Sequence, residues 1–177
     1  MHTSFSKLFH KTQSDLSALM NSFQHLTNTQ MQTPMRKEKW SIAQTVYHVN
    51  ESFEKTILYI HKKMQYPETI EKTNMYTSIK SFLLNSVLRS NYKMKAPEGV
   101  ITSIPKELPF EQLHNDSLKN ISMLKSLLEN FPEELMHKNV FRHPVAGRIT
   151  MYQTLQFLDE HLLHHARQVD KYLQKMN

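Results

Sequence analysis

The chain has no cysteine, and only two of its 177 residues are glycine, Gly99 and Gly147. Without cysteine it can form no disulfide, no thiolate metal site and no cysteine nucleophile, so any metal must sit on nitrogen and oxygen ligands. Two glycines leave no way to write a Walker loop or a GxGxxG turn, and they disfavour a fold built from many tight turns. Nowhere do 18 apolar residues run together, and Met1 to His10 contains no unbroken apolar segment of the kind found in a secretory signal. The expected location is the cytoplasm, with no membrane partner.

What is present fits one domain over residues 1–177. A hydrophobic share of 39% against 21% charged is ordinary for a water-soluble chain with a sizeable core. The formal charge of +6 would suit nucleic acid if it were concentrated. Instead the basic residues fall in small groups (Arg36, Lys37 and Lys39; Lys62 and Lys63; Lys93 and Lys95) separated by acidic and neutral positions. Neither an aromatic stacking motif nor a helix-turn-helix pattern accompanies them, so a solvated surface is expected and a nucleic-acid partner is not.

Apolar residues recur at spacings of three and four along most of the chain. Phe5, Leu8, Phe9, Leu16, Leu19, Met20, Phe23 and Leu26 predict an amphipathic helix over about 4–28. Ser41-x-x-Gln44 reads as a capping box opening a second helix to about Met64, with Ile42, Val46, Val49, Phe53, Ile57 and Ile60 on its core stripe. After Pro67, residues 74–92 read as a less regular helical insertion, and 95–105, with two prolines and a glycine, as a connector crossing between ends of the bundle. Pro109 suits the first turn of a helix burying Phe110, Leu113, Ile121, Leu124 and Leu128 and stopping before Pro132. A loop over 141–147 leads to the last helix, whose start is marked by a second capping box, Thr150-x-x-Gln153. Four long amphipathic helices with no convincing strand alternation predict an all-α four-helix bundle with a long crossover connection and an extra helical insertion.

On the last helix, His161 and His165 stand four residues apart, so their imidazoles share a face and can meet one transition-metal ion. Random placement of 11 histidines yields roughly 0.7 pairs at this spacing, so the pair needs company to mean anything. Counted at helical periodicity, the pair lies on the flank of the stripe formed by Met151, Leu155, Leu158, Leu162, Val169, Leu173 and Met176. His48 lies about 120° from the centre of its own stripe, and periodicity alone does not bury it. On spacing alone the blander assignment weighs more: His48 a surface or boundary side chain, His161 and His165 satisfied by water or carbonyls. His164 and Arg167 fall on other faces and read as surface groups.

Trp40-Ser41 followed by His48, then His143-Pro144 with Gly147 and Thr150, then His161-x-x-His164-His165-x-x-Gln168, resembles the pattern of the DinB superfamily. The resemblance spans roughly residues 5–173 and is nearest the YfiT-like branch of metal-dependent hydrolases and thiol transferases. It implies a four-helix bundle with an unusual crossover and a metal ion, zinc or nickel, held by His48, His161 and His165. With that implication the weighing of the histidines reverses.

Three neutral imidazoles leave a coordination position open, which is the mark of a catalytic rather than a structural site. Such a centre can acidify bound water or take up a thiol as thiolate, so hydrolysis and thiol transfer share one inorganic requirement. The resemblance implies a small-molecule substrate, an electrophile attacked by a low-molecular-weight thiol or by water. With no cysteine in the chain, the thiol must come from a cosubstrate. Gln168, three residues after His165, is placed to orient a ligand imidazole or a substrate, and a solvent-facing amide is an equal reading. Glu51 and Glu54, beyond His48, are weaker candidates for a proton acceptor, and His143 for a residue at the site mouth. A bundle that binds metal or ligand without turnover is the alternative from another class. A homodimer suits so small a bundle, although no sequence feature marks an interface.

Overall fold

A computed structural model describes residues 1–37, 39–72, 104–105, 107–144 and 146–176. Five α-helices are described: α1 Thr3–Phe23, α2 Asn28–Gln32, α3 Ile42–Met64, α4 Phe110–Glu129 and α5 Met151–Leu173. The helical insertion expected over 74–92 lies outside the described residues, as does the 95–105 connector except for Ile104 and Pro105.

The helix starts follow from local chemistry. Ser41 caps α3 and Thr150 caps α5, each in a complete capping box in which the third helical residue, Gln44 or Gln153, returns the bond to the cap amide. The first helix stops earlier than its apolar spacing predicts. At Thr27 a third capping box, with Gln30, opens the short α2, so Leu26 packs from a turn rather than from the end of α1. Pro109 is the cap residue of α4, which ends at Glu129, short of Pro132 as expected.

The four long helices close a ring. α1 packs on α5, α5 on α3, α3 on α4 and α4 on α1. Helices α1 and α3, consecutive long helices in the chain, therefore occupy opposite corners, and so do α4 and α5. Each diagonal step needs a connection that crosses an end of the bundle. A contiguous core joins Phe5, Phe9 and Phe23 of α1, Ile42, Val46 and Phe53 of α3, Leu113 and Leu124 of α4, and Leu155, Leu158 and Leu162 of α5.

Two polar seams fix how the helices meet. Between α3 and α4, the Asn50 amide donates to the Leu113 carbonyl (2.9 Å) and accepts from the Ser117 hydroxyl (2.9 Å), while the Asn120 amide donates to the Asn50 carbonyl (2.9 Å). Between α1 and α5, Asp159, only 2% exposed, accepts from Lys11 (2.8 Å) and the Thr12 hydroxyl (3.0 Å). Burial tends to raise the Asp159 carboxyl above its ordinary range, and the Lys11 ammonium and Thr12 hydroxyl oppose this by favouring the carboxylate.

The expectation of no strands is corrected by an antiparallel hairpin, β1 Asn139–His143 with β2 Gly147–Thr150, where a loop over 141–147 was expected. A register irregularity between Asn139 and Phe141 puts Asn139 and Val140 in succession into the interior. That removes the period-2 pattern by which strands are recognised. Gly147 takes φ of 76° at the turn, a conformation that favours glycine. The hairpin packs against α3 and α5, and β2 runs directly into the Thr150 cap.

Candidate metal centre

His48 lies about two turns into α3 from its cap, and His161 and His165 lie about three and four turns into α5. Where these helices pack, the three imidazoles converge. His48 Nε2 is 3.2 Å from His161 Nε2, and His165 Nε2 is 3.1 Å from the same atom. The three potential ligand atoms all lie within 4.8 Å of one another. Three imidazole nitrogens gathered in this way are a donor set that would suit one divalent transition metal ion.

The sequence reading did not bury His48, because a helical wheel counts one face. α3 is instead packed on more than one side, and the flank that carries His48 meets Trp40 and the histidines of α5. His165 is 8% exposed, and His48 and His161 are half-buried with their Nδ1 atoms sealed from solvent. Desolvation lowers the pKa of all three rings, taking His161 well below the ordinary imidazole value and His165 to about 3. Mutual repulsion among the rings adds to the shift for His161 and His165. At neutral pH all three are therefore uncharged with lone pairs available, the state a metal requires.

Aromatic rings wall the cluster. Trp40 lies 5.0 Å from the His48 ring and stacks at 6.5 Å on His165, and Phe157 stacks at 5.4 Å on His161. Trp40 is held by the turn before α3, where the Met35 amide donates to its carbonyl (3.1 Å) and Pro34 bridges to Ser41. Phe157 was missed in the sequence, although its place four residues before His161 puts it on the same helical face.

The other residues singled out by sequence divide clearly. Gln168 is 3.2 Å from His165 Nδ1 through Oε1, and its Nε2 is 2.9 Å from His164 Nε2. His164 was read as a plain surface group; it is half-buried and bonded to Gln168. Arg167 is half-buried as well. His143 is 7% exposed in β1, and its Nδ1 accepts from the Ala146 amide (3.1 Å) across the hairpin turn, with burial lowering its pKa to about 4. Its ring packs on Phe157 at 4.3 Å, and its charge would act on His161 through space. Glu51 pairs with Lys55 and Glu54 with Lys119, each at 2.8 Å, and both acids line a cleft between α3 and α4 with Tyr47 and Asp116. They are not brought into the histidine cluster.

The sequence model of the DinB superfamily matches residues 8–169. Among solved structures, the chain is similar to YfiT from Bacillus subtilis, described as a probable metal-dependent hydrolase with an unusual four-helix bundle topology. The TM-score is 0.64 at 15% identity, and the match covers 99% of this chain and 90% of that one. No curated protein matches the chain.

Proposed function

The chain belongs to the DinB superfamily, and from that premise we propose that His48, His161 and His165 hold one divalent transition metal ion, zinc or nickel, at the centre of an enzyme site. The enzyme is a low-molecular-weight thiol S-transferase or a hydrolase acting on a small electrophilic substrate. The observation that carries the reading is the convergence of three histidine Nε2 atoms from two helices, the group among the described residues being made of these three side chains. When bound, the metal supplies Lewis acidity, which makes a nucleophile available at neutral pH.

The chain's own residues do the rest. Trp40 and Phe157 exclude water from two sides of the cluster, which strengthens electrostatic interactions within it. Gln168 orients the His165 ring from behind. No cysteine supplies sulfur, so a transferred thiol comes from a cosubstrate, and a cytoplasmic setting keeps such thiols reduced.

The test is turnover after reconstitution with zinc or nickel, using a panel of small electrophiles with and without low-molecular-weight thiols. Product formed only with thiol present identifies the transferase, and product formed in water alone identifies the hydrolase. Full metal occupancy with no product across the panel would overturn the enzymatic reading in favour of a binding module.

A further inference from the structure

Only one of the three converging histidines has its second ring nitrogen engaged. The Nδ1 atoms of His48 and His161 are buried without a hydrogen-bond partner, whereas His165 Nδ1 meets Gln168 Oε1 at 3.2 Å. That oxygen can only accept, so His165 Nδ1 must carry the proton and His165 Nε2 must present a bare lone pair. The Gln168 amide nitrogen then donates to His164 Nε2 at 2.9 Å, which acts as acceptor.

The two bonds are coupled through one planar amide. Were the amide turned over, its nitrogen would donate to His165 Nδ1, forcing the proton onto Nε2 and blocking that atom as a ligand. His164 would then have to donate to the amide oxygen. The tautomers of His164 and His165 are thus tied to each other: an Nε2 acceptor at His164 goes with the amide oxygen facing His165 and a proton on His165 Nδ1.

We propose that His164 and Gln168 form a tautomer lock that commits His165 to the metal-binding form before the metal arrives. Both are positioning residues. The inference rests on His165 being a metal ligand, as proposed above, but the lock itself exists in the metal-free protein and is measurable there.

Two measurements test it on Gln168→Met, Gln168→Glu and His164→Phe. Gln168 is exposed and His164 half-buried, away from the fully enclosed core, so the fold should tolerate all three changes. Long-range heteronuclear NMR on the imidazole nitrogens of the metal-free protein should find His165 protonated at Nδ1 in the wild type and in Gln168→Glu, whose carboxylate can only accept. Gln168→Met should shift the proton towards Nε2, and His164→Phe should give a mixture. Zinc affinity should fall by roughly 10- to 100-fold in Gln168→Met and stay near wild type in Gln168→Glu. An unchanged tautomer in Gln168→Met, or equal losses of zinc affinity in the Met and Glu variants, would overturn the lock. If the wild type takes up no zinc, the metal reading fails, and the tautomer measurement still decides the lock by itself.

Discussion

His143 and His165 are imidazoles held neutral by burial, and each makes the metal-free protein sensitive to acid. Their folded pKa values, about 4 and about 3, lie below the ordinary histidine value, so the unfolded chain takes up these protons first. The stability they permit is fully present above about pH 6.5 and is lost as pH falls through the window down to the folded values. Each should contribute a slope of about 1.4 kcal/mol per pH unit within that window. Urea denaturation of the metal-free protein between neutral pH and pH ~4.5 should show the midpoint falling, and His143→Gln should flatten part of the fall. A midpoint that does not move over this range would contradict the neutral buried state. His48 follows the same sign, its pKa also being lowered chiefly by desolvation.

At the scale of elements, the capping boxes at Ser41 and Thr150 set where the ligand-bearing helices begin. Thr150→Ala removes the acceptor for the Gln153 amide and should cost about 1 kcal/mol of stability. His161 lies about three turns further on, so fraying of the first turn should leave zinc affinity unchanged. Thermal melting and zinc titration on the same variant check both halves of this expectation, and an unchanged melting temperature would remove the cap from the account. These starts were legible because a cap is a local pattern of two side chains. The end of α1 was not, since Leu26 continues the apolar spacing while Thr27 begins a new helix. The hairpin was hidden by the consecutive burial of Asn139 and Val140, which a sequence cannot distinguish from irregular chain.

Across the whole molecule, the histidine cluster joins opposite ends of the sequence, His48 on α3 and His161 and His165 on α5. That His161 and His165 share a helical face was legible from their spacing, but spacing alone favoured ordinary polar side chains, and it was the resemblance carried by the Trp40-Ser41 and His161 to Gln168 segments that implied all three as ligands. What spacing missed was that the His48 flank meets α5 and Trp40, neighbours that a single helix does not reveal. The place of Gln168 beside His165 was legible from their spacing on one helix, whereas the part of His164, four residues before Gln168, was overlooked. A metal bound across two helices in the native state and not in the unfolded chain should raise the melting temperature with metal concentration. The most direct measurement is the metal content of the wild type and of His48→Ala after reconstitution with zinc and desalting, with circular dichroism to verify that both are folded. The account predicts about one ion per chain for the wild type and close to none for the variant, at equal helix content. A folded His48→Ala that retains a full equivalent, or a wild type that retains none, would contradict it.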